Sequence, residues 1–344
     1  MYPSTTACRS AISATITPIS VKAAIERAWE EKGHIAYILS PLSLLYQLGW
    51  RTYLAIYELG LKKPHIPEIP TIIIGNFTAG GSGKTPFTVY LAEALTSRNH
   101  PIVLSTSGYG SPKYHGATLA PNGSLDVNEW GDESTMFREL LPDLPLIVGH
   151  DRVAAAQLAA QQFPNHILLM DDGFQHLRLK PDLSLIIEPD LENDFCFPAG
   201  PYREPKSVGA RRATRILTYD EHIQPLPLQL NPSLPPNTKV NALCAIGQPH
   251  RFLNSLQTIG LRVQKATLRP DHDPLTAGNL FANLEPELPL VVTAKDYVKL
   301  KNHTEAKNYQ FSIANYLVAP KHPEEFLNWL ESKIHELRKE KTPR

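Results

Sequence analysis

A short apolar run that leads into a glycine-rich loop is the feature of this sequence that most constrains its fold. Residues 71–74 (TIII) carry no charge, residues 75–86 (GNFTAGGSGKTP) follow directly, and residues 87–98 (FTVYLAEALTSR) are compatible with a helix. A strand, a glycine-rich turn, Lys-Thr and a helix, in this order, are typical of a loop that binds nucleotide phosphates. The order therefore predicts an α/β sheet with this loop at the carboxyl end of one strand.

The residues of this loop have distinct chemical roles. Gly80, Gly81 and Gly83 allow backbone N–H groups to turn inward around an anion. Lys84 supplies a positive charge for the β- and γ-phosphates, and the hydroxyl of Thr85 is a ligand for Mg²⁺. The predicted phosphate-binding set is Thr78, Ala79, Gly80, Gly81, Ser82, Gly83, Lys84 and Thr85. A strict GxxxxGK[ST] loop has glycine where Thr78 stands, and the alternative is a glycine-rich turn with an incidental Lys-Thr.

A second apolar run ends on two adjacent carboxylates. Residues 166–176 read HILLMDDGFQH, so an aliphatic strand stops at Asp171 and Asp172 and is followed by Gln175 and His176. Mg²⁺ beside a nucleotide takes carboxylate oxygens from the end of a neighbouring strand. Successive side chains of an extended segment point to opposite faces, so one carboxylate would approach the metal while the other holds the loop or a second ligand. An Asp-Gly turn is the alternative interpretation.

Apolar runs alternate with helix-length segments along most of the chain. Strands are predicted at residues 71–74, 102–104, 146–148, 167–170 and 183–187 in a first α/β region, and at 216–218, 242–246, 290–293 and 316–318 in a second; helices are expected after Pro249, Leu275 and Pro323. Residues 221–238 contain five prolines and are expected to be an extended linker. The predicted organisation is a disordered extension (1–23), a helical segment (24–63), a core with the phosphate loop (64–220), the linker (221–238) and a C-terminal α/β domain (239–344).

Composition excludes several classes of protein. The 344 residues carry a formal net charge of +0, which argues against a nucleic-acid binder with a broad basic face. Cys8, Cys196 and Cys244 are far apart and lack CxxC spacing, so neither a disulfide framework nor a zinc site is supported and a reducing, cytosolic compartment is favoured. Residues 1–20 favour a disordered extension over a targeting signal.

A nearly uncharged helical segment lies close to the start of the chain. Residues 35–50 (IAYILSPLSLLYQLGW) are interrupted by Pro41 and fall short of the roughly 20 residues that a transmembrane helix needs. Helical periodicity places Tyr46, Trp50, Tyr53 and Tyr57 on one side, Leu45, Leu48, Ala55, Ile56 and Leu59 on another, and Gln47, Arg51, Glu58 and Lys62 in a polar sector. Two apolar faces indicate a helix between the protein and a bilayer surface, with its aromatic residues at headgroup depth, or a helix buried between two layers of the fold.

Eight segments occur in an order that matches one enzyme family. They are GNFTAGGSGKTP (75–86), GDE (131–133), DRVAAA (151–156), DDGFQHLRL (171–179), FPAGPYREP (197–205), AIGQPHRF (245–252), PDH (270–272) and VTAKDYVKL (292–300). Together with AIERAWEEKG and SPLSLLYQLGWR near the start, they make this chain resemble the tetraacyldisaccharide 4'-kinases, the lipid A 4'-kinases of Gram-negative bacteria. The resemblance extends from about residue 24 to the last predicted helix.

The resemblance implies an α/β enzyme with a P-loop NTPase-like parallel sheet flanked by helices, a smaller C-terminal α/β domain and a membrane-associating N-terminal helix. It implies transfer of the γ-phosphate of ATP, with Mg²⁺, to the 4'-hydroxyl of a tetraacyldisaccharide 1-phosphate, which gives lipid IVA. It also implies a peripheral protein at the cytoplasmic face of the bacterial inner membrane, which favours a bilayer contact for the first helix. The sequence indicates neither a nucleic-acid partner nor an obligate protein partner.

The same resemblance implies roles for individual residues. Asp132 is expected to be the general base that takes the proton of the sugar hydroxyl, and His272 is expected to orient it. Lys84 and Arg203 complete the predicted catalytic set, since the guanidinium of Arg203 suits the transferring phosphoryl group or the 1-phosphate of the acceptor. The predicted metal-site residues are Thr85, Glu133, Asp171 and Asp172. The residues expected to line the substrate cleft are Gln175, His176 and Tyr109.

Two other functions fit part of the sequence. One is a P-loop kinase of a soluble metabolite, with the aromatic helix as core; the other is a membrane-associated nucleotide switch ATPase that needs no acceptor. Neither gives a role to residues 197–205 or 270–272. Three positions depart from the usual family pattern, because Ser107, Ser134 and Ala294 stand where arginine, proline and an acidic residue are common.

Overall fold

In the computed structural model, the described residues are 14–16, 29, 32–271 and 273–341. They belong to two compact units: residues 14–16 and 228–315 form the smaller unit, and residues 29–227 with 316–341 form the larger one. Of the extension predicted over residues 1–23, strand β1 (Ala14–Ile16) lies within the described residues, and the remainder lies outside them.

The larger unit is built on a sheet to which the described residues contribute seven strands. In chain order they are β2 (Thr71–Gly75), β3 (Ile102–Thr106), β4 (Thr118–Leu119), β5 (Leu146–Val148), β6 (Ile167–Asp171), β7 (Leu183–Glu188) and β8 (Arg215–Thr218). Their spatial order is β4-β5-β3-β6-β2-β7-β8, and neighbours are parallel except β4 with β5. The five strands predicted for the first region are confirmed, whereas residues 216–218, expected in the second region, extend this sheet as part of β8.

Helices cover both faces of this sheet. The helices of the described residues are α1 (His34–Glu58), α2 (Lys84–Ser97), α3 (Val127–Trp130), α4 (Asp132–Leu140), α5 (Arg152–Gln162), α6 (Lys206–Arg212), α7 (Pro249–Thr258), α8 (Ala294–Leu300) and α9 (Pro323–Lys341). Ile72 packs in one apolar cluster with Phe87 of α2 and Leu330 of α9, whereas its neighbour Ile73 packs in another with Ala155 of α5. Because both faces are covered, the central strands have continuous apolar sequences.

The smaller unit contains a second, mostly parallel sheet. Its remaining strands are β10 (Gln229–Asn231), β11 (Lys239–Cys244), β12 (Arg262–Leu268), β13 (Leu290–Thr293) and β14 (Phe311–Asn315), in the order β1-β12-β11-β13-β14-β10. Strand β10 is antiparallel to β14. In the larger unit, β9 (Ile223–Pro225) pairs with β15 (Val318–Pro320). The proline-rich segment 221–238 is thus extended and contributes β9 and β10.

Two predicted elements of the second region are wrong. No helix follows Leu275 in the described segment 273–289, because the carboxylate of Asp273 accepts a hydrogen bond from the N–H of Leu275 (2.8 Å) and Leu275 adopts a φ of 55°. An Asp turn of this kind competes with a helical start. Residues 316–318 are also not one strand, since β14 ends at Asn315 and β15 begins at Val318.

The last helix belongs to the larger unit. Residues 316–341 were expected in a C-terminal domain over 239–344, but Phe326, Leu330 and Ile334 of α9 lie in the apolar cluster that contains Phe87 of α2. The chain therefore leaves the larger unit at residue 227 and returns to it at residue 316. Apolar packing, rather than position along the chain, determines this division.

Three aromatic residues of α1, Tyr46, Trp50 and Tyr53, contact the rest of the larger unit. The hydroxyl of Tyr46 donates to the carbonyl oxygen of Arg203 (2.5 Å), and Nε1 of Trp50 donates to a carboxylate oxygen of Glu204 (3.2 Å). Trp50 also packs with Tyr53 in a small apolar cluster of the larger unit. These contacts occupy part of each ring, since Tyr46, Trp50 and Tyr53 are half-buried, and the expectation that they lie at headgroup depth stays a prediction.

The leucine side of α1 is the exposed one. Six of its aliphatic side chains are 52% to 75% exposed: Ile35, Ile38, Leu42, Leu44, Leu45 and Leu48. We call these six residues the α1 apolar patch. A continuous apolar patch of this kind is unusual on a monomeric protein. None of the helices in the described ranges combines the length and the apolar character required to cross a bilayer.

A buried ion pair attaches the end of α9 to the sheet. The carboxylate of Asp182 accepts from the backbone N–H of Thr71 (2.8 Å) and lies 3.0 Å from Nζ of Lys341, with side chains only 10% and 15% exposed. We expect Asp182→Ala to lower the free energy of unfolding by about 1–3 kcal/mol, because it removes the acceptor of the Thr71 N–H and the carboxylate beside Lys341, whose Nζ keeps the carbonyl oxygens of Pro67 and Ile69. Urea denaturation, with an unchanged dependence on urea concentration, measures this effect.

The matched control is the exposed pair Lys333–Glu336, in which the charged atoms are 2.7 Å apart. Glu336→Ala is expected to change the free energy of unfolding by about 0.5 kcal/mol or less. Equal effects of the two substitutions would show that the Asp182 pair contributes no more than a surface pair.

Candidate active site

The glycine-rich loop leaves β2 and enters α2 in a conformation that depends on two glycines. Gly80 has a φ of 103° and Gly83 a φ of 88°, a region that side chains with a Cβ rarely adopt. Nδ2 of Asn76 donates to Oγ of Ser82 (2.9 Å), and the N–H of Ser82 donates to the carbonyl of Gly80 (3.1 Å). These bonds fix the loop from within and place it at the N-terminus of a long helix, where anions are favoured.

Thr78 has an extended backbone, a conformation that any residue can adopt. The glycine that the GxxxxGK[ST] pattern has at this position is therefore not required here. The backbone of Thr78 forms a bridge with Tyr202. The N–H of Ala79 donates to the carbonyl of Pro201 (2.8 Å), and the N–H of Arg203 donates to the carbonyl of Phe77 (2.8 Å). The segment FPAGPYREP is thus hydrogen-bonded along the phosphate loop, and these bonds place Arg203 next to the loop.

Asp171 lies at the end of β6, the strand next to β2, in register with Ile74. Its two carboxylate oxygens accept from the hydroxyls of Thr85 (3.0 Å) and Thr88 (2.7 Å) on α2. The side chain is buried, and burial raises its pKa, although the hydroxyl of Thr88 and the charge of Lys84 oppose this effect. A carboxylate from the strand next to β2 thus contacts Thr85 of the loop, and its expected role as a metal ligand stays a prediction.

Asp172 points to a different set of partners. Its carboxylate lies 3.2 Å from a guanidinium nitrogen of Arg203, and its backbone has a φ of 53°. Burial favours the neutral form, but the charges of Lys84, Arg203 and Arg152 outweigh it and hold the pKa of this carboxyl far below its usual range. Asp172 is therefore ionised at every physiological pH and compensates a group of cations.

Arg152 is a central residue to which the sequence patterns assign no role. Its guanidinium is buried and donates to the carbonyl of Asp171 (2.8 Å) and to the hydroxyl of Ser105 (3.3 Å). Burial lowers its pKa, and the charges of Asp172, Asp171 and Glu133 act in the opposite direction. Its position in the sequence could have indicated this role, because it follows the apolar strand 146–148 and so lies at the carboxyl edge of the sheet, as the other polar site residues do.

Glu204 links the first helix to this site. It is fully buried and accepts from Nε2 of Gln175 (3.1 Å), from Nε1 of Trp50 on α1 and from a guanidinium nitrogen of Arg212. Gln175 donates in addition to the carbonyl of Asn76 at the start of the loop (2.8 Å). The predicted cleft residue Gln175 thus bridges the start of the loop and Glu204, which in turn contacts Trp50 of α1.

The predicted base and its neighbours occupy a turn at the start of α4. The carboxylate of Asp132 accepts from the N–H of Glu133 (2.9 Å). Gly131 has a φ of 80°, and a Cβ there would lie 3.0 Å from the carbonyl oxygen of Tyr109. The GDE turn therefore packs against the loop that follows β3, and Glu133 is close enough for its charge to affect Arg152. Tyr109 itself is 65% exposed.

His176 lies near the same cations. Burial and the charges of Arg152 and His150 lower its pKa to about 4, so its imidazole is neutral at pH 7. His272, the predicted partner of Asp132, lies outside the described residues. The described ranges contain no group of three His, Cys, Asp or Glu side chains arranged to hold a metal.

A phosphate loop at a parallel strand, a carboxylate on the adjacent strand and a surrounding set of cations define an α/β phosphotransferase. The profile of the tetraacyldisaccharide-1-P 4'-kinase family matches residues 35–335. This chain belongs to that family, which confirms the resemblance seen in its motifs.

Two kinds of relative agree with this assignment. The tetraacyldisaccharide 4'-kinases of Coxiella burnetii strains Dugway 5J108-111 and RSA 493 / Nine Mile phase I are each 32% identical over 305 residues, covering 83% of this chain and 89% of theirs. A crystal structure described as the "apo" form of LpxK from Aquifex aeolicus in complex with ATP has a TM-score of 0.73 at 24% identity, covering 87% of this chain and 99% of that one. This likeness shows a common fold.

The tight contact of Gly83 gives a test of the loop. A Cβ at this position would lie 2.1 Å from the hydroxyl oxygen of Tyr219, and the φ of 88° would strain any other residue by about 1–2 kcal/mol. We expect Gly83→Ala to weaken the binding of a fluorescent ATP analogue at least tenfold. Adding Tyr219→Phe removes the clashing oxygen but not the backbone strain, so it should restore only part of the affinity.

The matched control is Gly278→Ala, because a Cβ there meets nothing within 4 Å and the φ is ordinary. Its affinity should equal that of the wild type. Wild-type affinity in Gly83→Ala would contradict the left-handed backbone of Gly83 and its close approach to Tyr219.

Proposed function

We propose that this chain transfers the γ-phosphate of ATP to the 4'-hydroxyl of a tetraacylated disaccharide 1-phosphate, and so forms lipid IVA. The observation that carries the proposal is the meeting of Lys84, Asp171, Asp172 and Arg203 around the phosphate loop, in a chain of the tetraacyldisaccharide-1-P 4'-kinase family. Phosphoryl transfer depends mainly on in-line positioning and on neutralisation of charge, and this arrangement supplies both.

The triphosphate would be held by the loop residues 78–83, Lys84 and Thr85. The positive φ angles of Gly80 and Gly83 let the loop turn around the phosphates. The ammonium group of Lys84 would contact the transferred phosphoryl group. Arg203 faces the same place with a planar, bidentate donor, and Asp172 holds it by its charge. Residues 201–203 are hydrogen-bonded to the loop, so Arg203 is held in a fixed position relative to the residues that would bind the phosphates.

The residues suited to Mg²⁺ are Thr85 and Asp171, with Asp172 and Glu133 able to hold its water ligands. Their oxygens are hard donors, and the 3.0 Å contact between Thr85 and Asp171 brings two of them together. Mg²⁺ keeps several waters and binds substrate phosphates, so a site with few protein ligands fits it. When bound, the ion neutralises charge between the β- and γ-phosphates.

Asp132 is the residue we assign as general base; the role that the family resemblance implies for His272, which lies outside the described residues, stays a prediction. Asp132 starts α4 beside the loop after β3, at the same edge of the sheet as the phosphate loop. Its carboxylate would accept the proton of the 4'-hydroxyl as the oxygen attacks phosphorus. Gln175, His176 and Tyr109 are then available for contacts with the acceptor.

The direct test is incubation of the purified chain with γ-labelled ATP and a tetraacylated disaccharide 1-phosphate. Label at position 4' of the distal sugar is the expected result. Label on a soluble, deacylated acceptor at the same rate would favour a kinase of a soluble metabolite. Release of free phosphate without any labelled lipid would favour a nucleotide switch.

Asp132→Asn tests the assignment of the base. We expect kcat to fall about 10²- to 10⁴-fold, because the amide cannot accept the proton, while the affinity for ATP changes less than twofold. The matched control is Asp126→Asn, since Asp126 is exposed and caps the preceding helix α3. A loss of ATP affinity in Asp132→Asn would instead make Asp132 a metal-site residue.

The acceptor carries fatty acyl chains, so we propose that the chain works as a peripheral protein on the cytoplasmic face of the inner membrane. The α1 apolar patch supports this position, because its side chains are exposed and the opposite side of α1 is joined to Arg203 and Glu204. Arg51 is exposed on the same helix and would meet anionic headgroups. A lipid acceptor would thus reach the site from the surface that α1 contacts.

Leu44→Ser, Leu45→Ser and Leu48→Ser, combined in one variant, test this surface. We expect its binding to liposomes with anionic lipid to fall at least tenfold, because each leucine contributes about 1.5–3 kcal/mol when it is fully buried. The control is Leu119→Ser, since Leu119 is 37% exposed but lies on β4. Unchanged sedimentation of the triple variant with liposomes would refute the membrane contact of α1.

A further inference from the structure

The backbone of Arg203 is held from two sides. Its N–H donates to the carbonyl oxygen of Phe77 in the phosphate loop (2.8 Å), and its own carbonyl oxygen accepts from the hydroxyl of Tyr46 on α1 (2.5 Å). One bond therefore comes from the phosphate loop, and the other comes from the helix that carries the α1 apolar patch. All three residues belong to the larger unit.

Together these two bonds determine the direction of the Arg203 side chain. The peptide planes on either side of an α-carbon are rigid, and two dihedral angles relate them. The N–H of Arg203 belongs to the plane before its α-carbon, and its carbonyl group belongs to the plane after it. Because both planes are bonded, the direction in which the side chain leaves the backbone is fixed. The bond to Phe77 alone would leave the second plane free to rotate.

Helix α1 also holds the residue that follows Arg203. Nε1 of Trp50 donates to a carboxylate oxygen of Glu204 (3.2 Å), and Glu204 is fully buried. Tyr46 and Trp50 are four residues apart, so they lie on the same side of the helix. This side of α1 therefore contacts two successive residues of the segment that runs along the phosphate loop.

The phenol of Tyr46 is held by its ring as well as by its hydroxyl. Its ring meets the ring of Phe197 edge to face, with centroids 5.9 Å apart, and the side chain is half-buried. Burial raises the pKa of Tyr46, so its hydroxyl stays protonated at neutral pH and can donate. Phe197 is held in turn by its N–H, which donates to the carbonyl of Tyr202 (3.0 Å). Removal of the hydroxyl would therefore leave the ring packing in place.

The far end of the Arg203 side chain is less firmly held. A guanidinium nitrogen lies 3.2 Å from the carboxylate of Asp172, and the two side chains are 31% and 35% exposed. A long side chain with partial exposure keeps much of its rotamer freedom, and one contact at its tip removes only part of it. The position of the guanidinium therefore depends on the direction that the backbone gives it.

We infer that Tyr46 is a positioning residue for phosphoryl transfer: its hydroxyl holds the carbonyl group of Arg203 and thereby directs the guanidinium to the transferred phosphoryl group. The inference rests on the function proposed above, because that function assigns this cation to the phosphoryl group. The helix proposed to contact the bilayer thus supplies one of the two bonds that set the cation.

Tyr46→Phe tests this role, because it removes the hydroxyl and keeps the ring. We expect kcat for a tetraacylated disaccharide 1-phosphate in detergent micelles to fall about three- to tenfold, as for one lost hydrogen bond. The KM for ATP should stay within about twofold, since an interaction made only in the transition state affects kcat. The matched control is Tyr309→Phe, which should keep the wild-type kcat. The Tyr309 hydroxyl also donates to backbone carbonyl oxygens, those of Phe281 and Leu284 in the smaller unit.

Arg203→Ala separates positioning of the cation from a general structural effect. In this background Tyr46→Phe should change kcat less than about 1.5-fold, because no guanidinium remains to be directed. Equal fold losses in the wild-type and Arg203→Ala backgrounds would overturn the inference. An unchanged kcat in Tyr46→Phe, or full activity in Arg203→Ala, would also overturn it, while phosphate on the lipid in the wild type would leave the proposed function standing.

A measurement that needs no turnover decides the inference independently. The NMR resonance of Arg203 Nε, assigned by its absence in Arg203→Ala, should shift in Tyr46→Phe and not in Tyr309→Phe. An unshifted resonance in Tyr46→Phe would overturn the inference whatever the activity of the wild type. Absence of lipid phosphorylation by the wild type, with the resonance shifted as expected, would instead refute the proposed function and leave the positioning of Arg203 by Tyr46.

Discussion

The site depends on one buried carboxylate that joins two adjacent strands. Asp171 ends β6 and accepts hydrogen bonds from Thr85 and Thr88 on the helix that follows β2. Because these bonds are buried, an unmatched partner would cost far more free energy than an exposed one. These bonds therefore fix the position of α2 along the sheet. They also fix its N-terminus and the phosphate loop that precedes it. The positive charge of Lys84 acts on both Asp171 and Asp172 and favours their ionised forms.

Other parts of the site reach this point through backbone and buried polar groups. Residues 201–203 are hydrogen-bonded along the phosphate loop, which carries Arg203 to Asp172. Glu204, the next residue, accepts hydrogen bonds from Gln175 and from Trp50 of α1. A displacement of α1 would therefore affect the surroundings of the catalytic cation. The helix that carries the α1 apolar patch is therefore linked to the site through Glu204.

Patterns that depend on neighbours in sequence predicted much of the fold. The parallel strands of the larger unit were found because both of their faces are buried, which produces continuous apolar runs. Two predictions failed for different reasons: a local turn at Asp273 replaces a helix at Leu275, and a distant contact through Phe326 returns α9 to the core of the larger unit. The position of α1 is similar, since periodicity found its two apolar faces but not which face contacts the protein.

The phosphate loop, the carboxylates after β6 and the family can be read from the chain, because each is a local pattern of residue types with a fixed spacing. The folded arrangement was needed to show that Arg152 donates to the carbonyl of Asp171, that Trp50 of α1 donates to Glu204, and that imidazoles and guanidiniums share a cavity at the end of β5. The physical reason is that strand order and burial bring together residues far apart in the chain. Chain order does not reveal which parallel strands are neighbours.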